Sequence, residues 1–402
     1  MQPQSLYHEP NTLAPHYGRF RVSQRCLLTG HSHQAWPDRC LEGQQRAWQD
    51  AARYVDEKWG PAFEQAELVR AGFRRLLGDD PQYGAMALGQ NTHELLVRFL
   101  SALSLRERPS IVTTDGEFHS MRRQLDRLEE EGLAVTRVAA LPAVSLSERV
   151  ADALDDGTGA VMVSAVLFGN GHIVPGLAGL SAACRHRGIP LLVDAYHALN
   201  VVPFSMVEHD LLDAYVVGGG YKYCQLGEGN CFLRFPKGST LRPAVTGWFA
   251  EFADLSASER GARVTYGEGD VRFAGATYDP TSHYRAADVF AFFEERALTP
   301  DLLREVSQHQ VGLLAESFDA LEADPSVITR DRSVPITAIG GFLALETPHA
   351  AKFQEFLRER DVWTDHRAGV LRLGPAPYLS DRQLIDAVDA LGDTIDVVRS
   401  IV

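Results

Sequence analysis

Cysteine is scarce in these 402 residues, and so is positive charge. The five cysteines, Cys26, Cys40, Cys184, Cys224 and Cys231, form an odd set with no CxxC pair. That argues against both a disulfide framework and a zinc site, and it fits a reducing compartment. Lys and Arg number 39 against 53 Asp and Glu, a formal net charge of -14, so nucleic acid is a poor partner. No apolar run is long enough to cross a bilayer, and the first ten residues carry neither a basic start nor an apolar h-region. These absences predict a soluble, cytoplasmic chain with no membrane partner. The 45% hydrophobic content is what a globular enzyme uses to build its core, and the length suggests two or three packing units.

One stretch looks aimed at a ligand. In Asp213-Ala-Tyr-Val-Val-Gly-Gly-Gly-Tyr-Lys222-Tyr223 an apolar strand runs into three glycines that deliver a lysine between two tyrosines. A solvated surface lysine rarely follows a buried strand so directly, and the glycines suggest a backbone passing close to a bound molecule. Upstream, Ile189-Pro-Leu-Leu-Val-Asp194 is a second apolar strand that ends in a carboxylate and continues as Ala-Tyr-His197. An acid, a histidine three residues on and a lysine on the next strand are the arrangement that pyridoxal phosphate (PLP) requires. The lysine forms a Schiff base, and the acid keeps the pyridine nitrogen protonated so that the ring accepts electrons from the substrate Cα.

The rest of the chain reads largely as alternation. An irregular arm of about 25 residues leads through a short strand, 25–30, to the turn His31-Ser32-His33-Gln34, where Ser32 and His33 are candidates to face a substrate. Helices are expected over about 38–58 and 62–77, then a strand over 83–89 and the helix start Gln90-Asn91-Thr92-His93-Glu94. Asn91 with Glu94 three residues later has the form of a capping box. The same helix start holds a phosphate if Asn91 and Thr92 turn outward. Strands over 109–114, 134–139, 159–168 and 189–194, separated by single helices, imply right-handed crossovers and a mostly parallel, doubly wound sheet. Ligands sit beyond the carboxyl ends of such strands, where Phe168, Asp194 and Lys222 fall and Phe118 follows another strand.

From Pro236 to Pro280 the sequence is rich in glycine and aromatics with little periodicity, as functional irregular stretches often are. After helices at about 283–296 and 300–323 the alternation breaks. A strand over 336–346, a helix over 349–360, short strands over 362–364 and 370–373 and a helix over 381–399 make an α+β appendage. Within it Arg372 lies in an apolar strand, a cation costly to bury without an anion. Its fork matches the α-carboxylate of an amino acid, and equally an internal ion pair with one of the many acids.

Taken together these motifs resemble the fold-type I PLP enzymes of the class V aminotransferase group, and within it kynureninase most closely. The likeness spans nearly the whole chain. Leu28-Thr-Gly-His-Ser-His33 resembles the family's N-terminal turn, and Gln90-Asn-Thr-His-Glu94 its phosphate-binding helix start. Glu117-Phe118-His-Ser120 is similar to the segment whose aromatic ring stacks on the cofactor. Asp194-Ala-Tyr-His197 and Tyr221-Lys222-Tyr223 resemble the acid–histidine pair and the lysine site. Thr246-Gly-Trp248-Phe249 is similar to a stretch that reaches the phosphate from across a dimer interface, and Leu371-Arg372-Leu-Gly-Pro-Ala-Pro377 to the strand bearing the carboxylate arginine.

The resemblance implies an α/β chain with the fold-type I PLP-dependent transferase fold: a mostly parallel doubly wound sheet and a small C-terminal α+β domain. Residues 1–40 would form an arm joining the small domain, 41–300 the large PLP-binding domain and 301–402 the small one. It further implies a homodimer with the active site near the subunit interface. Lys222 is the expected catalytic residue and carries the cofactor. Asp194 pairs with its ring nitrogen, Phe118 and His197 flank its ring, and Asn91, Thr92, Tyr221 and Trp248 hold its phosphate. Thr277, nearest to a substrate-side asparagine of the family, joins the cofactor-facing set, while Arg372, Ser32 and His33 face the substrate.

Three departures touch the substrate pocket. Met121 stands after Ser120 where kynureninases carry an aspartate, Trp59-Gly-Pro61 replaces a motif ending in histidine, and the asparagine is missing near Phe273-Ala-Gly-Ala-Thr277. No cysteine precedes Arg372 to form the persulfide of a cysteine desulfurase. The expectation is a PLP enzyme acting on a free α-amino acid, a kynureninase-like hydrolase or lyase that cleaves a side-chain bond. A class V aminotransferase and a C–S or β-eliminating lyase are the alternatives, with a non-catalytic PLP-binding protein behind them.

Overall fold

Apolar segments such as Leu191-Leu192-Val193 are almost wholly withdrawn from solvent, as strands covered on both faces must be. They assemble into one large sheet. The structure, a computed structural model, describes residues 1–254 and 263–401. Its helices are α1 (Gln4–Tyr7), α2 (Cys40–Tyr54), α3 (Trp59–Leu76), α4 (Thr92–Ser101), α5 (His119–Glu130), α6 (Leu146–Asp152), α7 (Leu177–Arg187), α8 (Thr281–Glu295), α9 (Pro300–Ala320), α10 (Ala350–Arg358) and α11 (Asp381–Ile401). Its strands are β1 (Cys26–Leu27), β2 (Gly84–Gly89), β3 (Ser110–Thr114), β4 (Ala134–Val138), β5 (Thr158–Ser164), β6 (Leu191–Asp194), β7 (Tyr215–Gly219), β8 (Cys231–Pro236), β9 (Thr329–Arg330), β10 (Leu343–Glu346), β11 (Val362–Trp363), β12 (Asp365–Arg367) and β13 (Val370–Leu373).

The large sheet has the order β2-β8-β7-β6-β5-β3-β4. Strands β7, β6, β5, β3 and β4 are parallel, and β8 runs antiparallel to both β7 and β2. The sheet is therefore mixed but mostly parallel. The exception has a local cause: the turn-rich link Cys224–Gly229 leaves no room for the crossover helix that a parallel return needs. Strand β8 is pinned by Arg234, fully buried, which donates to both carboxylate oxygens of Asp79 and to the carbonyls of Leu212 and Ala214.

The C-terminal sheet has the order β12-β13-β10-β9, all antiparallel. The single strand expected over 336–346 is interrupted: a short 3-10 turn covers Ile336–Ala338 and the strand proper begins at Leu343. Gly340 and Gly341 fall at the break, and they let the two sheets meet. The Gly340 amide donates to Gly171 O at 2.7 Å, and a Cβ on Gly341 would stand 2.5 Å from the Tyr223 ring.

The glycines before Lys222 also have a structural task that the sequence does not reveal. A Cβ at Gly219 would lie 2.5 Å from Cys231 Sγ and 2.6 Å from the Tyr196 ring, and one at Gly220 would lie 2.4 Å from Leu226. They make room for neighbouring protein side chains rather than for a ligand. The irregular stretch expected over 236–280 contains only 3-10 turns where it is described, and 255–262 lie outside the described residues. Among the described residues no helix is long and apolar enough to cross a membrane.

Candidate active site

Pairing in the large sheet sets Ser164 opposite Asp194 and Asp194 opposite Val217, so the loops after β5, β6 and β7 open on one edge. The loop after β3 joins them. Lys222 arrives there buried, with Nζ 2.6 Å from His197 Nε2. Three aromatic faces surround the amine: Nζ lies 4.9 Å from the centroid of Tyr196, 5.1 Å from Phe118 and 5.7 Å from Tyr221. Asp194 is buried beside them and accepts the Tyr196 amide at 2.8 Å.

Burial dominates the electrostatics of this group. It pushes the Lys222 amine down to about 7, with Asp194 pulling the other way and Arg372 adding to the fall. His197 is held well below its ordinary value by the same desolvation and then by Lys222. Near neutral pH a large fraction of the amine is therefore uncharged, which makes it a nucleophile. Burial raises the Asp194 carboxyl, against which the Tyr196 amide and the field of Lys222 pull down. A protonated ring nitrogen would supply the counter-charge that this carboxylate needs.

Glu117, which the sequence offers only as a neighbour of Phe118, is buried beneath the site. It accepts the Thr114 hydroxyl at 2.7 Å and the Ser164 hydroxyl at 2.5 Å, tying the ends of β3 and β5 together. Burial pushes it up to about 7 despite those bonds. Above it Phe118 packs edge-on to Phe168 at 5.4 Å and lies 6.3 Å from the His197 ring.

At the start of α4 the Asn91 cap forms, but Glu94 reaches back one residue past the cap instead of closing the capping box. Asn91 Oδ1 accepts the Glu94 amide at 3.0 Å, and Glu94 Oε1 accepts the Gln90 amide. Asn91 is thus turned to the helix rather than outward. The amides of Thr92 and His93 remain as the donors that a helix start cannot satisfy internally. They and the helix dipole suit a phosphate. The residues present therefore fit PLP: an amine, a buried acid, an aromatic face and an anion-binding helix start.

Arg372, on β13, is almost fully buried. It donates from Nε and Nη2 to Asp365 Oδ1 at 3.0 and 2.5 Å and from Nη1 to the Phe168 carbonyl at 2.8 Å. So the internal ion pair exists, and Asp365, opposite Arg372 in the β12–β13 register, is the acid. Beside it lies His31, buried, with Nε2 3.9 Å from Asp365 Oδ1, its ring over Phe342 and neither ring nitrogen hydrogen-bonded. Burial pushes His31 down to about 4.

In the same turn Ser32 donates back to the Thr29 carbonyl at 3.1 Å, and His33 is exposed, stacked on Tyr221 at 5.0 Å and 3.9 Å from Glu228. It is His31 that points inward. Trp248 and Thr277 belong to another wall: the Phe249 amide bonds to Gly275 O at 3.1 Å, Trp248 is 43% exposed, and Thr277 lines a separate cavity.

No family model matches the chain. It is 23% identical over 348 residues to an uncharacterized aminotransferase, YcbU, of Bacillus subtilis strain 168, covering 85% of this chain and 87% of that one. Solved structures give the fold. The cystine C–S lyase C-DES, in complex with its reaction product cysteine persulfide, aligns with a TM-score of 0.79 at 15% identity over 93% of this chain and 98% of its own. The cysteine desulfurase of Thermococcus onnurineus NA1 aligns at 0.80 and 15% over 96% and 98%, and CsdA of Escherichia coli at 0.75 and 15% over 98% and 99%. A C-DES mutant carries glycine covalently linked to its PLP cofactor. The chain thus has the fold-type I architecture of these enzymes. The specific likeness to kynureninase finds no support in them.

Proposed function

We propose that this chain is a PLP-dependent enzyme acting on a free α-amino acid, and that it releases a group from the substrate's Cβ, as a C–S or other β-eliminating lyase does. One observation carries the reading: a buried lysine amine, largely uncharged near pH 7, stands 2.6 Å from His197 on the sheet edge where Asp194 lies. When bound, PLP supplies an aldehyde for that amine and a ring that accepts electrons from the substrate Cα. Asp194 would keep a proton on the cofactor's ring nitrogen, Phe118 would lie against its ring, and His197 steadies Nζ. With Nζ free of the cofactor, Lys222 would be the base that takes the substrate's Cα proton.

The helix start at Asn91 and Thr92, with Tyr221, holds the phosphate. Trp248 and Thr277 reach it from a second copy of the chain, which makes the working unit a homodimer. Arg372 takes the α-carboxylate on the guanidinium edge that Asp365 leaves open, and His31 rather than Ser32 or His33 lies against the substrate.

Sulfur chemistry with an enzyme thiol as acceptor is disfavoured here. All five cysteines are buried, and burial pushes the Cys231 thiol up to about 12, far from the thiolate that accepts sulfur. A sulfur group leaving Cβ would depart in the product, and a C–S lyase among the structural neighbours supports this. The aminotransferase reading is second, favoured by the name of the Bacillus relative.

The test is to purify the protein, record its absorbance and incubate it with cystine, cysteine, alanine and kynurenine. The expected result is a yellow protein, colourless as Lys222→Ala, that yields pyruvate and ammonia from cystine. A full-length keto acid formed only with an amino acceptor present would favour transamination. A colourless wild-type protein after PLP addition would defeat both readings.

A further inference from the structure

Between β3 and α5 the chain makes the short loop that carries Phe118 to the site. Within 115–120 the one buried residue is Glu117, 2% exposed; Asp115 and His119 lie in solvent and Phe118 is half-buried. Where the Phe118 ring lies therefore depends on how firmly its neighbour is held.

Three side chains fasten the loop. Asp115 Oδ1 accepts the Ala140 amide at 2.7 Å, and Thr114 Oγ1 accepts the Gly116 amide at 3.1 Å. These bonds stay within the loop or reach toward the end of β4. Glu117 reaches the other way. Its carboxyl accepts the Thr114 hydroxyl at 2.7 Å and, from β5, the Ser164 hydroxyl at 2.5 Å and the Ser164 amide at 3.2 Å. Ser164 in turn stands opposite Asp194 in the β5–β6 pairing.

One buried carboxyl thus joins the loop bearing Phe118 to the strand end beside Asp194. Leaving any of its three donors unpaired in the interior costs free energy, so the side chain is held in one place. The Phe118 ring follows, edge-on to Phe168 at 5.4 Å and 5.1 Å from Lys222 Nζ.

We propose that Glu117 is a positioning residue for the cofactor: it acts through Phe118, fixing that ring relative to Asp194 so that both meet the ring of PLP. The proposal rests on the reading of Lys222, Asp194 and Phe118 as a PLP site. Hydrogen bonds, not charge, carry the role. A glutamine keeps all three, since its Oε1 takes the Thr114 hydroxyl and the Ser164 amide while the Ser164 hydroxyl turns to accept from Nε2. Alanine keeps none.

The test is a double-mutant cycle read by PLP affinity and by the visible circular dichroism of the bound cofactor. Glu117→Ala should weaken PLP about tenfold and reduce the dichroic band, as Phe118→Leu alone should, while Glu117→Gln stays within about twofold of wild type. In the Phe118→Leu background Glu117→Ala should cost less than about twofold more, because the residue it acts through is gone. Should Glu117→Ala fail to fold, Ser164→Ala, which removes one bond, takes its place, and its loss of about threefold should likewise vanish in that background. Additive losses in the cycle, a Glu117→Gln protein as weak as the alanine variant, or wild-type affinity and dichroism in Glu117→Ala would each overturn the proposal. A wild-type protein that takes up no PLP would defeat the reading of the site, and this proposal with it.

Discussion

Asp365 orients Arg372 by taking two of its N–H groups on one oxygen, while the Phe168 carbonyl takes a third. The guanidinium is therefore fixed before any substrate arrives, and its remaining outward N–H groups suit a carboxylate. Removing one partner of a buried pair leaves the other uncompensated, so Asp365→Asn should raise KM for the amino acid about 10- to 100-fold while kcat changes little. Steady-state kinetics separates the two, and a fall in kcat at unchanged KM would sink the positioning role. Burial alone would raise the Asp365 carboxyl, but His31 and Arg372 outweigh it and hold it well below the usual carboxylate range. A depressed carboxyl stabilises the fold above its unfolded value near 3.8 and loses that contribution as pH falls through the folded value.

Glu117 behaves in the opposite sense. Its folded value is raised from 4.5 to about 7, so its contribution to stability is fully present below 4.5 and is lost as pH rises through 7. Across that window the wild-type protein should lose about 3 kcal/mol from this group, taking 1.36 kcal/mol per pH unit. Urea unfolding of the cofactor-free protein at a series of pH values should show that slope. In Glu117→Gln it should be flattened. An unchanged slope in the variant would assign the pH dependence to other groups.

Among the elements, α4 and β7 decide how the site is presented. Asn91→Ala removes the cap and should cost about 1 kcal/mol of stability. If its helix start also holds the phosphate, PLP affinity should fall with it, read by titrating the absorbance of the loaded protein. Gly219→Ala should destabilise by about 1–3 kcal/mol, because the added methyl meets Cys231 and Tyr196 at under 3 Å. Melting temperatures decide, and a neutral Gly219→Ala would show that the strand end shifts freely.

These elements also explain what could be read from sequence. Lys222, Asp194 and His197 were legible because strand ends in an alternating α/β chain fall on one edge, so local order implies spatial neighbourhood. The partner of Arg372 was not, since many acids were available. Yet a signal existed: Ala368-Gly369 is a two-residue turn, and it sets Asp365 opposite Arg372. His31 was overlooked in favour of Ser32 and His33 because the residue types in a turn do not state which side chain faces inward; the packing of the His31 ring on Phe342 and beside Gly374 does.

At the scale of the whole molecule, the site lies on the seam between the two sheets, and Arg372 belongs to one while the carbonyl it holds, Phe168 O, lies on the loop after β5 of the other. The seam is closed by few backbone bonds: Ile173 N–H to Ala338 O at 2.9 Å, and Gly340 N–H to Gly171 O at 2.7 Å. An amino acid whose carboxylate engages Arg372 while its amine is held at Lys222 would tie both sides together, so binding and seam closure are thermodynamically linked. Amide hydrogen exchange of the PLP-loaded protein should therefore slow at Ile173 and Gly340 when a non-reacting amino acid analogue is added. Protection should rise about a hundredfold at a hundred times its Kd if opening of the seam alone releases the ligand, and β5 and β6 core amides should not change. In Asp365→Asn the same addition should protect these two amides less. Uniform slowing across the large sheet would instead mean that the two sheets open only together with global unfolding, and protection confined to the loop after β7 would mean that the carboxylate is held somewhere other than Arg372.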